Sequence, residues 1–134
     1  MKDLDWSNLS FGYRQTDYNV RCYYRDGKWG EIEVCSDEYL KLHMAATCLH
    51  YGQEAFEGLK AYRCPDGKVR VFRMDENAKR LQSTCRGILM PEVPTEMFEE
   101  MVKKVVRLNQ EWIPTYESGA TLYIRPLLIG TSAQ

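Results

Sequence analysis

Histidine is nearly absent from this chain, which carries two, His43 and His50, in 134 residues. Protein zinc sites draw mostly on imidazoles and on closely spaced thiolates. The five cysteines, Cys22, Cys35, Cys48, Cys64 and Cys85, are odd in number and include no C-x-x-C pair. That pattern argues against a metal site and a disulfide framework, and for free thiols in a reducing cytosol. An excess of one charge is missing too. Eighteen basic residues face 19 acidic ones, so there is no electrostatic footprint for nucleic acid or an anionic membrane. No apolar run approaches the ~20 residues of a membrane span. The opening MKDLDWSNLS has none of the apolar core of a signal peptide. G-x-G-x-x-G, P-loop, H-E-x-x-H and G-x-S-x-G motifs do not occur. These absences leave a soluble, cytoplasmic globular protein whose length suits one domain.

What is present is concentrated in a few stretches. LHYGQEAFEGLKAYR, residues 49–63, holds Tyr51, Phe56 and Tyr62 together with Gly52 and Gly58. Two hairpin signals follow the same plan. YNVRCYYRDGKWGEIEV (18–34) turns at Asp26-Gly27, and FEGLKAYRCPDGKVRVFR (56–73) turns at Pro65-Asp66-Gly67. In each, Pro or Asp sets the turn and Gly supplies the positive φ that closes it. MDENAKRLQSTCRGILM then places Met74, Ala78, Leu81, Cys85 and Ile88 at helical spacing, with Gly87 as its stop or kink. The clearest helix is PTEMFEEMVKKVVRLNQEWIP: Thr95 is its expected cap and Pro114 its end. Its expected buried stripe is Phe98, Met101, Val102, Val105, Leu108 and Trp112. GATLYIRPLLIG (119–130) reads as one strand. The order predicts an α+β domain: a mostly antiparallel sheet of two hairpins plus a further strand, packed against two helices. The domain is expected over residues 1–130. The small, flexible tail at 131–134 is expected to begin an interdomain linker in a chain cut between two domains.

Three places carry chemical potential. In the last strand, Leu122 and Ile124 share one face, and Thr121, Tyr123 and Arg125 share the other. A phenol and a planar guanidinium two residues apart suit a carboxylate or phosphate, though a solvated Tyr-Arg pair explains the pattern as well. In the first long helix, Arg80 falls roughly 120° from the apolar stripe, with Asn77 and Thr84 on its flank. It reads as an anion ligand or as a surface salt-bridge partner. In the aromatic stretch, Phe56, Gly58, Lys60 and Tyr62 share a face, and Gly58 lets something approach the backbone beside the Phe56 ring. An aromatic core cluster with a bulge at Gly58 is the alternative. Glu57 is explained equally by a structural hydrogen bond and by catalysis.

LHYGQEAFEGLKAYR, VRVFRMDENAKRLQSTCRG and TLYIRPLLIGT, in this order, resemble the N-terminal part of branched-chain amino-acid aminotransferases, pyridoxal-phosphate enzymes of fold type IV. The resemblance covers about residues 10–134. It implies that Arg80 binds the cofactor phosphate and that Phe56 forms an aromatic wall of the substrate pocket. It implies further that Tyr51 reaches the neighbouring subunit's pocket across a homodimer interface, and that Tyr123 and Arg125 lie near the substrate carboxylates. The implied substrates are leucine, isoleucine and valine, glutamate, and their 2-oxo acids. Gln15 stands where many members have an aromatic that lines the pocket. The family's lysine that carries the cofactor, its acid for the pyridine nitrogen and most of its phosphate cup belong to a second domain that this chain lacks. The chain alone is therefore expected neither to transaminate nor to hold pyridoxal phosphate, and Lys60 is expected to be an ordinary solvated strand residue. Two other readings stay open: a different fold IV enzyme, such as a D-amino-acid aminotransferase or an aminodeoxychorismate lyase, and a free-standing binding or dimerisation module.

Overall fold

The computed structural model describes residues 4–6 and 12–133. Most of the N-terminal stretch read for a signal peptide, and Gln134 of the expected linker, lie outside the described residues.

The first hairpin forms in two steps. β1 (Asn19–Arg21) pairs antiparallel with β4 (Glu33–Cys35), and within them β2 (Tyr24–Arg25) pairs with β3 (Lys28–Trp29). Asp26 at φ 54° and Gly27 at φ 80° close the turn. Two successive left-handed residues make a type I′ turn, whose twist matches that of the strands it joins.

The aromatic stretch is not one strand. Thr47–His50 is a single helical turn (α1), Tyr51 is its C-cap, and Gly52 at φ 64° redirects the chain into β5 (Glu54–Phe56). β6 (Leu59–Arg63) and β7 (Val69–Val71) then form the second hairpin, so Phe56 stands just outside it.

The expected strand over 119–130 is likewise two. β8 (Leu122–Ile124) pairs with β6, and β9 (Leu127–Ile129) pairs with β5. The break at Arg125-Pro126 lies opposite the break at Glu57-Gly58. Phe56 faces Leu127 and Leu59 faces Ile124, so one register runs through without an inserted residue. Glu57 donates its amide N–H to the Pro126 carbonyl at 3.0 Å. Pro126 has no N–H to return the bond, and the ladder lapses there. Side chains keep alternating through the break. Ala55, Glu57, Leu59 and Ala61 are buried, while Phe56, Gly58 and Lys60 point the other way; Phe56 and Lys60 are exposed.

Two helices cover the buried face. Along α2 (Met74–Gly87), Ala78, Leu81 and Cys85 are buried, with Met74 and Ile88 packed at the edge of the core, as the spacing predicts. Its stop is not Gly87. Ile88 is the C-cap and Leu89 takes the left-handed position at φ 58°. Leu89 N–H then reaches the Arg86 carbonyl at 3.4 Å, and Met90 N–H reaches that of Cys85 at 2.9 Å. This is a Schellman closure with leucine where glycine is usual.

α3 (Thr95–Leu108) differs from expectation at both ends. Pro94, not Thr95, holds the N-cap position, and no side chain caps the helix. Phe98, Val102 and Val106 are its buried residues, while Met101, Val105 and Leu108 are half-buried flanks. The buried line therefore includes Val106, which the expected stripe left out. Helical backbone ends at Asn109, before a 3-10 turn at Gln110–Trp112 leads to the fully buried Ile113 and Pro114. Asn109 is 2% exposed. Its Oδ1 accepts the amides of Asp17 and Tyr18 at 3.0 Å each, and its Nδ2 donates to the carbonyls of Tyr18 at 3.0 Å and Val105 at 2.8 Å. One buried amide thus ties the end of α3 to the entry of β1.

The result is the expected α+β architecture, antiparallel throughout its strand pairs. Among the described residues, no helix is long and apolar enough to cross a membrane.

Candidate functional site

The exposed face of the β5–β6 and β8–β9 ribbon gathers most of the residues singled out above. Tyr123 and Arg125 share that face, as strand alternation requires, and they touch. Arg125 donates to Tyr123 Oη from Nε at 3.3 Å and from Nη2 at 3.0 Å. The same guanidinium sits 4.6 Å from the Phe56 ring centroid and 5.2 Å from that of Tyr123. Both contacts are within cation–π range. Phe56 is 58% exposed, so one side of its ring carries the arginine while solvent reaches it elsewhere. Gly58 explains how Tyr123 fits. A Cβ there would lie 2.5 Å from Tyr123 Oη and 3.2 Å from two ring carbons. The space expected beside Phe56 is filled by the chain's own tyrosine.

Tyr123 and Gly58 also border an open hollow of about 930 Å³ between the ribbon and the first turns of α2. Arg80 lines the same hollow, as do Lys60, Arg73 and Lys79, with Glu76 as the one acid among the lining residues. Even with Arg80 paired to the buried Glu57, the three other cations outnumber Glu76 and make the hollow attractive to an anion.

Arg80 is not loose in that hollow. Its Nε donates to both oxygens of Glu57, at 2.9 and 3.0 Å, and its Nη2 donates to Oε1 at 2.6 Å. Asn77 Nδ2 donates to the same Oε1 at 2.8 Å. The Glu57 side chain is 4% exposed and that of Arg80 is 68% exposed. One edge of the guanidinium is therefore clamped on a buried carboxylate while the rest faces outward. The hydrogen bonds to Glu57, and then its charge, hold the guanidinium above its ordinary proton affinity. A phosphate needs outward N–H donors and surrounding positive charge. Arg80 with Lys60, Arg73 and Lys79 supplies both, so the residues fit the phosphate end of pyridoxal phosphate.

Arg80 and Tyr123 thus share one hollow. Arg125 and Phe56 stand beside it, joined to Tyr123. Tyr51 stands apart: 65% exposed at the end of α1, with its ring centroid 6.5 Å from that of His50, it does not line the hollow. Lys60 is an exposed strand residue, as expected, and it also lines the hollow. Of the two readings of Glu57, the structural hydrogen bond is the one the geometry shows. Alternation places Glu57 on the core face, opposite in direction to Phe56, and a carboxylate sent inward requires a cation or several donors. That signal was legible. The identity of its partners was not.

No family model matches the chain. Over 130 residues it is 55% identical to the branched-chain-amino-acid aminotransferase of Haemophilus influenzae, a match that covers 97% of this chain and 38% of that protein. The enzyme of the same name from Helicobacter pylori is 47% identical over 130 residues, again covering 97% of this chain and 38% of its own. The chain therefore spans 38% of the length of these two relatives. Among solved structures, the branched-chain amino acid aminotransferase of Escherichia coli superposes with a TM-score of 0.64. That match has 28% identity and covers 88% of this chain and 35% of the other.

Proposed function

We propose, on the premise that this chain belongs by sequence and fold with the N-terminal part of the branched-chain amino-acid aminotransferases, that it is the small domain of such an enzyme and forms one wall of its active site. The whole protein would move the amino group of leucine, isoleucine or valine to 2-oxoglutarate. The observation that carries the proposal is the meeting of Arg80 and Tyr123 on one cationic hollow, with Arg125 and Phe56 stacked alongside.

Pyridoxal phosphate, when bound, supplies the electron sink for chemistry at the substrate Cα. Arg80 directs its outward donors at the phosphate, in the positive field of Lys60, Arg73 and Lys79. Phe56 gives a branched aliphatic side chain an apolar wall, where each methylene contributes about 1–3 kcal/mol of discrimination. Tyr123 and Arg125 orient carboxylates, including the side-chain carboxylate of glutamate, which an apolar pocket would otherwise reject. Tyr51, exposed and away from the hollow, serves the pocket of a second copy in a homodimer.

No lysine of this chain takes the covalent role. It comes from a companion domain of the whole protein, with the acid that faces the pyridine nitrogen. The chain's five thiols are all free, in keeping with a cytoplasmic setting.

The test joins this chain to the remaining segment of the Haemophilus influenzae relative, in place of that protein's matching residues. Glutamate should form from leucine and 2-oxoglutarate, while the chain alone should yield none. Arg80→Ala in the joined protein should release pyridoxal phosphate on dialysis at least tenfold faster. Unchanged retention would remove Arg80 from the phosphate site, and turnover by the isolated chain would overturn the assignment of the lysine to a companion domain.

A further inference from the structure

We propose that Glu57 is the positioning residue for Arg80, and that it strengthens anion binding in the hollow although it carries the same sign of charge as the anion. The inference rests on the proposed role of Arg80 as phosphate ligand.

Glu57 is aimed at the core by strand alternation and sits at the one place where the ribbon's ladder lapses. Its backbone is held by the bond to Pro126. Its carboxylate is held by Asn77 from the first turn of α2. Arg80 lies three residues further along that helix, and three N–H···O contacts fix its Nε–Nη2 edge on Glu57. The rest of an arginine side chain that is 68% exposed would otherwise sample many rotamers. Clamping one edge fixes the plane of the group and leaves its remaining donors unclamped, on a side chain that lines the hollow bordered by Gly58 and Tyr123.

Two effects of Glu57 oppose each other. As a counter-ion it weakens the field that an anion feels. As a clamp it removes, before binding, the rotamer entropy that a freely rotating arginine would lose on meeting the anion. The counter-ion effect is muted because solvent screens the outward edge of the guanidinium. Preorganisation therefore wins.

The experiment follows the Arg80 Nε–H signal and the backbone amides of the uniformly 15N-labelled chain by NMR during titration with inorganic phosphate. In the unmodified chain that hydrogen exchanges slowly with water, and phosphate shifts its signal. In Glu57→Gln, which keeps the side-chain shape and adds a positive unit to the net charge, the signal should lose its protection and phosphate affinity should fall at least threefold. Asn77→Ala, which loosens Glu57 and leaves both charges in place, should weaken phosphate in the same direction by less. Equal or tighter phosphate binding by Glu57→Gln, or unaltered Nε–H protection, would overturn the proposal. Arg80→Ala separates the two claims. If it leaves phosphate shifts at the Gly58 and Lys79 amides intact, the role of Arg80 fails. If it abolishes them while Glu57→Gln does not weaken them, only the positioning role fails.

Discussion

Single residues in this chain are decided by backbone sign and by close approach. Leu89 holds φ 58° while its side chain is 88% exposed, so it takes the left-handed penalty of about 1–2 kcal/mol and gains almost no burial in return. Leu89→Gly should stabilise the chain by about 0.5–1 kcal/mol, once the extra freedom of glycine in the unfolded state is subtracted. A urea midpoint that falls would contradict this. Gly58 is the opposite case, because its backbone sign is ordinary and the constraint is the Tyr123 ring. Gly58→Ala should cost about 1–3 kcal/mol as the ring is forced aside. Adding Tyr123→Ala to it should recover most of that loss, and strict additivity of the two in a double-mutant cycle would show that they do not meet. Of the residues singled out from sequence, Arg80, Phe56, Tyr123 and Arg125 could be named because charge, ring and strand parity are written locally. Their contacts with Glu57 and with each other could not.

At the scale of elements, the joins matter more than the elements. α3 has an apolar line strong enough to read from sequence, but its attachment to β1 depends on the four hydrogen bonds of Asn109, made across 91 residues to Tyr18 and locally to Val105. Asn109→Ala should destabilise the fold by about 2–4 kcal/mol, since it leaves buried backbone groups without partners. Hydrogen exchange should speed up most at the Asp17 and Tyr18 amides. An equal effect at every amide would mean that the join is not local. The paired breaks at Glu57-Gly58 and Arg125-Pro126 follow the same logic. Neither break disturbs the register, yet together they place Glu57 under α2 and Arg125 over Phe56. The proline was visible in sequence, whereas the residue opposite it was set by sheet pairing.

The molecule as a whole is α+β and antiparallel, with one core between the ribbon and its two helices, and a sheet face left open to solvent. Cys85 lies in that core. Burial pushes its thiol above the ordinary 9.0, Glu92 adds to the effect, and a backbone bond to Val93 and the charge of Arg86 oppose it. A proton held more tightly in the folded state gives stability that is complete below the unfolded value and lost as pH rises through the folded one. The urea midpoint should therefore drop as pH rises past about 9, and Cys85→Ala should flatten that drop. An identical slope in the variant would assign the alkaline loss to other groups. The open face carries Phe56, more than half exposed, and under the proposed function it is the side a companion domain would cover.

The sequence by itself determined the features whose causes lie within a few residues. The turn at Asp26-Gly27 needs only positive φ, the stripe of Ala78, Leu81 and Cys85 needs only a 3.6-residue period, and the face shared by Tyr123 and Arg125 needs only alternation. Tertiary structure alone decided what fills the gap at Gly58, which cation answers Glu57, where α2 closes and which face of α3 is deepest. Each of those depends on a partner brought near by folding. Packing and the cost of leaving a buried polar group unanswered select that partner, and neither leaves a mark in the local pattern of residues.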